Sequence, residues 1–220
     1  MDGADVDAVG KVGSRGGASP PVGTATYDTR AEHYDARWSR YLPATHDAIL
    51  DALGDVPAYP ILDLACGTGV LIARIAKALK PDTIVGADLS FQMLAEARRK
   101  GVERCVHADA SSLPFASGAF GTVVCASAMH EMPNPRQVLN EVKRILRPSG
   151  RFILVDWCDD YLACRLCGWY LSQTDPAYHR AYRLQACRLL LEQAGFQAIE
   201  AKRFRISWLW GMMRLVARAS

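Results

Sequence analysis

The chain has 220 residues, half of them hydrophobic, and a formal net charge of +3. This length is typical of one domain with a sizeable core, and so small a positive charge does not favour nucleic acid binding. No apolar run reaches the ~18 residues of a membrane helix, which predicts no stable membrane insertion. The N-terminus carries no apolar signal region, so we expect a cytoplasmic location.

The chain begins with a stretch that lacks any apolar period. Residues 1–26 are rich in Gly, Ala, Ser and Pro, a composition that predicts a disordered tail. We expect one domain over residues 27–220, opening with N-terminal cap helices over residues 27–58. The aromatic residues Tyr27 and Tyr34 of this cap either contact a ligand or pack against the edge of a sheet.

The next segment, Ile61–Val70, organises the rest of the chain. It is typical of a buried strand, a turn with two glycines and the start of a helix, an arrangement that binds nucleotide-type ligands. A dinucleotide fingerprint requires a third small residue, and Ile72 stands at that position. The carboxylate of Asp63 at the strand end favours a cationic amino group instead, as S-adenosylmethionine has.

Two more acidic residues follow in the same pattern. Thr83–Asp88 is predicted to be a second strand that ends in an acid, and acids placed like Asp88 accept hydrogen bonds from ribose hydroxyls. Cys105–Ala110 is predicted to be a third strand, with Asp109 near its end, where a carboxylate can accept from an adenine amino group. The three acids together favour S-adenosylmethionine as the ligand.

The remainder of the chain keeps alternating strands with helices. Strands are predicted at Phe120–Ala126 and Arg151–Asp156, and the alternation favours a parallel sheet covered by helices on both faces. A helix is predicted over Gln185–Ala194, and the last two strands over Gln197–Ile206 and Trp210–Ala217.

These motifs resemble those of the class I S-adenosylmethionine-dependent methyltransferases, in particular the type-11 group related to quinone-biosynthesis C-methyltransferases. The resemblance rests on Asp63–Gly69, Asp88–Ser90, Asp109–Phe115 and Leu146–Gly150. Ala65 departs from the family's motif, which has glycine there, but alanine is small enough for cofactor binding to survive. The resemblance implies a Rossmann-like α/β fold: a seven-stranded, mostly parallel sheet with a C-terminal antiparallel strand and helices on both faces.

The resemblance also implies a cofactor site at the carboxyl ends of the strands. The residues expected to bind S-adenosylmethionine there are Asp63, Ala65, Cys66, Gly67, Gly69, Asp88, Leu89, Met93, Asp109, Ala110 and Ser127.

The acceptor of the methyl group is expected to be a small planar or apolar molecule. His130 follows the fourth strand and is the candidate general base, although it could also only shape the pocket. Glu131 is expected to face solvent or to cap the turn. Residues 157–182 are rich in aromatic side chains and are interpreted as a substrate lid, with Trp157 and Tyr161 contacting the acceptor.

Several alternatives stay open at this point. The chain could be a nicotinamide-dependent oxidoreductase, or a methyltransferase fold used for binding or for other chemistry. The acceptor atom could be C, N, O, S or As, and Cys158, Cys164 and Cys167 leave a thiophilic acceptor possible. We predict no metal site, because Cys164 and Cys167 form a lone CxxC motif. The oligomeric state is not indicated by the sequence.

Overall fold

Seven strands form one sheet in the computed structural model, which describes residues 22–54, 57–79, 83–208 and 210–220. Their order across the sheet is β3-β2-β1-β4-β5-β7-β6. The strands are β1 (Ile61–Leu64), β2 (Ile84–Asp88), β3 (Cys105–His107), β4 (Phe120–Ala126), β5 (Leu146–Trp157), β6 (Phe196–Arg205) and β7 (Gly211–Ala219).

The first five strands are parallel, and β7 runs antiparallel to both of its neighbours, β5 and β6. The predicted mostly parallel sheet with a C-terminal antiparallel strand is therefore confirmed. In the register of the sheet, Leu64 pairs with Ala87 on one side and Cys125 on the other. Because the carboxyl ends of β1, β2 and β4 thus lie at one edge, the loops that follow them meet there.

Helices cover both faces of the sheet. They are α1 (Val22–Arg30), α2 (Tyr34–Arg37), α3 (Leu42–Leu53), α4 (Val70–Leu79), α5 (Phe91–Arg99), α6 (Pro135–Ile145), α7 (Leu162–Thr174) and α8 (Leu184–Gln193), with short 3-10 turns at Ala31–His33 and Met129–Glu131.

The two faces of the sheet are buried against different helices, as the period-2 alternation of strands requires. Leu62 and Leu154 belong to the cluster that α6 and α8 cover. Ile61 and Ile153 belong to the cluster that α3 and α4 cover. A third, smaller cluster lies between α4 and α5 and includes Cys66.

Some predicted boundaries differ from the structure. The helix α1 begins at Val22, so the predicted end of the tail at residue 26 falls inside a helix, while residues 1–21 lie outside the described residues. The strand β3 ends at His107 because the side chain of Asp109 accepts the backbone N–H of Ser111 and turns the chain. The strand β5 begins at Leu146, five residues before its predicted start at Arg151, and contains a bulge with Ser149 at φ 62°.

Candidate active site

A cavity of about 440 Å³ lies at the carboxyl ends of β1 to β4, beneath α1 and α2. Its volume is within the usual range for small-molecule sites. We call its two parts the β1–β3 half and the α1 half. The β1–β3 half is lined by Ala65, Gly67, Asp88, Leu89, Met93, Asp109 and Ala110, and the α1 half by Tyr27, Tyr34, Glu131, Pro176, Ala177 and His179.

The turn after β1 forms the floor of the β1–β3 half. Ala65, Gly67 and Gly69 have φ values of 60°, 54° and 76°, in the left-handed region that favours glycine. A Cβ atom on Gly67 would meet nothing within 4 Å, so this glycine leaves open space for a ligand. A Cβ atom on Gly69 would lie 3.0 Å from Val102 Cγ2, so Gly69 instead allows the turn to pack against the segment after α5.

Asp88 is fixed at the end of β2 by backbone donors. Its Oδ2 accepts the N–H of Gly67 and its Oδ1 accepts the N–H of Ser90, each at 2.8 Å. Burial raises the pKa of the Asp88 carboxyl, although these backbone N–H groups act in the opposite direction. Because each carboxylate oxygen has two lone pairs, both can still accept a hydroxyl hydrogen from a ligand.

Asp109 is similarly positioned after β3. Its Oδ1 accepts hydrogen bonds from the N–H and the hydroxyl of Ser111, both at 2.7 Å. Among the described residues no donor reaches the other oxygen, Oδ2. Asp109 lines the cavity, so it presents an oriented carboxylate to an amino group.

Three residues predicted to bind the cofactor lie outside the cavity lining: Asp63, Cys66 and Gly69. Asp63 is 1% exposed within β1, and its Oδ2 has no hydrogen-bond partner in the described part of the protein. Burial raises the pKa of the Asp63 carboxyl, and the nearby Asp88 raises it further. The side chain of Cys66 packs between α4 and α5, away from the cavity. The sequence pattern at the end of β1 does not show which way this side chain points. Ser127, at φ 55° after β4, does line the cavity.

The α1 half contains an acid whose position the sequence did not indicate. Glu131 ends the 3-10 turn after β4, lines the cavity, and its Oε1 accepts a hydrogen bond from the hydroxyl of Tyr27. Burial raises the pKa of the Glu131 carboxyl to about 7. The expectation that Glu131 faces solvent or caps the turn is therefore wrong, because α1 covers this turn.

His130 lies behind Glu131 and outside the cavity lining. Its Nδ1 is 2.6 Å from Asp156 Oδ1, its backbone N–H donates to Asp156 Oδ2, and its Nε2 is 3.6 Å from Glu131 Oε1. Burial alone lowers the pKa of His130, but the charge and hydrogen bond of Asp156 outweigh it, so the pKa is raised. Glu131, rather than the predicted His130, therefore faces the cavity, while His130 is buried behind it.

Of the four aromatic residues predicted to contact the acceptor, Tyr27 and Tyr34 line the cavity, whereas Trp157 and Tyr161 of the predicted lid lie outside the lining. Trp157 is the last residue of β5 and is 6% exposed; its ring stacks on His130, and its Nε1 donates to the hydroxyl of Tyr41. Tyr161 packs against Gly211 and beneath the guanidinium of Arg205. The structure therefore brings neither ring to the wall of this cavity, and the predicted acceptor contacts stay predictions. Trp157 is buried because β5 extends one residue further than expected.

A different part of the predicted lid reaches the cavity. Pro176, Ala177 and His179 follow α7 and line the α1 half. The N–H groups of His179 and Arg180 both donate to the carbonyl of His130, at 3.0 and 2.8 Å, and hold this loop against the turn after β4. None of the lining residues is Cys158, Cys164 or Cys167, so these thiols do not face the cavity.

The comparisons with known proteins agree with this geometry. A family model described as a methyltransferase domain matches residues 62–154. Demethylmenaquinone methyltransferase of Lactiplantibacillus plantarum is 27% identical over 172 residues, covering 66% of this chain and 73% of that protein. The enzyme of the same name from Thermus thermophilus is 38% identical over 128 residues, covering 56% of this chain and 55%, about half, of that protein.

A crystal structure from Thermotoga maritima shares the fold. It is described as an S-adenosylmethionine-dependent methyltransferase, possibly a histamine N-methyltransferase. Its TM-score is 0.73 at 18% identity, covering 89% of this chain and 99% of that one. The family model, the relatives and the shared fold all support the resemblance to the class I S-adenosylmethionine-dependent methyltransferases. The alternative of a nicotinamide-dependent oxidoreductase is not favoured.

The β1–β3 half of the cavity fits S-adenosylmethionine, the cofactor of the methyltransferases that this chain resembles. Asp88 offers two positioned oxygens for ribose hydroxyls, and Asp109 offers a free oxygen for the adenine amino group. Leu89 and Met93 supply apolar surface beside them. When bound, the cofactor supplies an electrophilic methyl group.

The helices α1 and α2 join the two halves of the methyltransferase cavity. On the β1–β3 side, the Ser90 hydroxyl donates to Asp28, and the Thr68 hydroxyl donates to Asp35 at 2.6 Å. On the other side, Arg30 forms an ion pair with Asp175 at 3.0 Å, and Tyr27 contacts Glu131. The predicted N-terminal cap therefore contacts residues on both sides of the cavity. No helix in the part of the chain described by the structure is long and apolar enough to cross a membrane.

Proposed function

We propose that this protein transfers the methyl group of S-adenosylmethionine to a ring carbon of a small planar hydroxyaromatic molecule of the quinol type. The observation that carries the proposal is the pairing of the two halves of one cavity. The β1–β3 half fits the cofactor, while the α1 half combines two tyrosine rings with a single carboxyl group, Glu131.

The α1 half favours a flat acceptor. The rings of Tyr27 and Tyr34 have centroids 6.1 Å apart and are tilted by 58°, so they form two walls of an aromatic surface. Pro176 and Ala177, from the loop held against the 3-10 turn, add apolar surface. Aromatic and apolar walls suit a planar ring, and a small number of polar groups then fixes its orientation.

The names of the sequence relatives point to the same class of acceptor. Two of them are demethylmenaquinone methyltransferases, which methylate a quinone nucleus. In such a reaction the protein mainly orients the ring carbon against the methyl group and excludes water. A cavity covered by α1 and by the loop after α7 supports this role.

The test is a methyl-transfer assay with isotopically labelled S-adenosylmethionine. The acceptors are reduced demethylmenaquinone with a one-isoprene chain, histamine and phosphoethanolamine, each at equal concentration. We expect the label on a ring carbon of the quinol, identified by NMR of the product. Label found only on an amine, or on none of the acceptors while the cofactor binds, would overturn the proposal. The Asp88→Ala variant is the negative control.

A further inference from the structure

The acid of the α1 half has one oxygen that is held and one that is free. Glu131 Oε1 accepts the hydroxyl of Tyr27, whereas no donor among the described residues reaches Oε2. The side chain is 23% exposed, and the residue lines the cavity. A carboxylate with a free oxygen at a cavity wall can accept a proton from a molecule bound there.

Behind Glu131 lies a buried pair that ties it to the sheet. Asp156 comes from β5, is 1% exposed, and holds His130 through both a ring nitrogen and the backbone N–H. The other ring nitrogen of His130 faces Glu131 at 3.6 Å. The buried imidazole of His130 thus lies between two carboxyl groups, those of Asp156 and Glu131. The charges of His130 and Asp156 therefore influence whether Glu131 is ionised.

Titratable groups face Glu131 from every neighbouring segment. They are Tyr27 from α1, Tyr34 from α2, Cys125 from β4, His130 from its own turn, Asp156 from β5 and Asp175 from the loop after α7. Of these, His130 and Tyr27 favour the ionised carboxylate, and Asp156 and Asp175 disfavour it.

We propose that Glu131 is the general base that removes the hydroxyl proton of the methyl acceptor, and that the His130–Asp156 pair positions it. This rests on the proposed function, since only an acceptor with an ionisable hydroxyl needs such a base. His130 itself is less suited, because one nitrogen is occupied by Asp156 and the ring lies outside the cavity lining.

The proton balance of this step is complete. Glu131 takes the proton of the acceptor's O–H bond, and the electron pair left on oxygen is delocalised onto the ring carbon ortho to it, which carries a hydrogen. That carbon forms the new bond to the methyl group, whose bond to sulfur breaks with the electron pair staying on sulfur. The ring carbon then loses its hydrogen as a proton and the ring oxygen regains one, so one proton leaves per methyl group transferred.

The main test compares wild-type protein with Glu131→Gln across pH. We expect the kcat of the wild type for a quinol to rise with pH through about 7, because only the carboxylate accepts a proton. Glu131→Gln should lose this rise and about 100-fold or more in kcat. Its affinity for S-adenosylhomocysteine should stay within about twofold. Glu192→Gln, which changes an exposed acid on α8, is the matched control.

A second readout does not depend on turnover. In protein labelled with ¹³C at glutamate carboxyls, the Glu131 resonance is assigned by its loss in Glu131→Gln. We expect its titration to coincide with the rise in kcat. Tyr27→Phe removes a hydrogen bond to the carboxylate, so both the resonance and the rise should move to higher pH by about one unit.

The acceptor itself provides a third test. A nitro-substituted hydroquinone carries a hydroxyl group that is largely ionised without a base. If Glu131 removes a proton, Glu131→Gln should lose far less kcat with this acceptor than with an unsubstituted hydroquinone. An equal loss with both acceptors, with the rise in kcat unchanged by Tyr27→Phe, would overturn the role as base and leave a purely structural one.

The failure of this inference can be told from the failure of the proposed function. Wild-type protein that methylates quinols, with Glu131→Gln as active as Glu192→Gln across pH, would reject the base and keep the function. Wild-type protein that methylates only amines, with Glu131→Gln raising KM alone, would reject both and make Glu131 a binding site for the ammonium group.

Discussion

The two halves of the cavity are built in different ways. The β1–β3 half consists of short segments that directly follow parallel strands, so each of its residues is a few positions from the motif that marks it. The α1 half is assembled from α1, α2, the turn after β4 and the loop after α7. Some of these segments are far apart in the chain: Tyr27 and Glu131, for example, are separated by 104 positions. A half built from local motifs can be recognised from sequence, whereas one assembled from distant segments depends on packing.

The largest expected effect tests whether Trp157 stabilises the fold behind the α1 half or contacts the acceptor. Trp157→Ala should lower the free energy of unfolding by ~3–5 kcal/mol, because the ring is buried, stacks on His130 and meets Trp210 edge-on. Denaturant unfolding measures this. Trp169→Ala, on the outer face of α7 with the side chain 69% exposed, should change stability by less than ~0.5 kcal/mol. Stable Trp157→Ala with impaired acceptor binding would restore the lid role for Trp157.

The next effect concerns the β1–β3 half alone. Asp88→Ala should weaken binding of S-adenosylmethionine by ~2–3 kcal/mol, since it removes acceptors for two ribose hydroxyls and releases the N–H of Gly67. Isothermal calorimetry measures the affinity, and circular dichroism checks that the fold is retained. Asp109→Asn keeps an oxygen at its position and should cost less. Unchanged affinity in Asp88→Ala would break the assignment of this half to the cofactor.

The pH dependence of stability tests the burial of Glu131. Between about pH 4.5 and 7 the native protein keeps a proton on Glu131 that the unfolded chain has lost, so raising the pH favours unfolding. We expect wild-type protein to lose ~1–3 kcal/mol relative to Glu131→Gln across this window. The raised pKa of His130 acts in the same direction, and its partner Asp156 is present in both proteins, so only the part of that shift caused by the Glu131 charge differs between them. Parallel stability curves for the two proteins would mean that the carboxyl group is solvated.

The smallest expected effect concerns Ala65, which stands where the motif of the resembled family has glycine. Ala65 adopts φ 60°, a conformation that costs an L-residue ~1–2 kcal/mol, and glycine removes this cost at the expense of ~0.5–1 kcal/mol of chain entropy. Ala65→Gly should therefore stabilise the protein by up to ~1 kcal/mol, seen as a slightly higher Tm. Little change in cofactor affinity is expected. Destabilisation would show that the methyl group of Ala65 contributes packing at the cavity wall.

The sequence predicted the sheet and the β1–β3 half well because both are encoded in local patterns. Apolar strands ending in acids, followed by glycine turns, give the topology and locate Asp88 and Asp109. The order of the last strands followed from the family resemblance. The division into tail, cap and lid stays a prediction, although α1 begins before the proposed boundary.

The α1 half was harder to predict from the sequence for a physical reason. Whether His130 or Glu131 faces the cavity depends on Asp156, which holds His130 from another strand, and no spacing within the turn shows this. For Trp157 the sequence does contain a signal of its burial. Ile153, Val155 and Trp157 recur with a period of two in one buried cluster, which is the pattern of a strand that continues through Trp157.

The contacts of α1 and α2 have a consequence for the order of events in a catalytic cycle. The helices α1 and α2 contact Ser90 and Thr68 on one side of the cavity and Glu131 and Asp175 on the other. We call these two helices the gate, because methyl donor and acceptor would both lie beneath them. Opening it separates the Arg30–Asp175 ion pair, whose attraction weakens as ionic strength rises. If gate opening limits product release, turnover should accelerate with moderate salt, and a burst of product should precede the steady state.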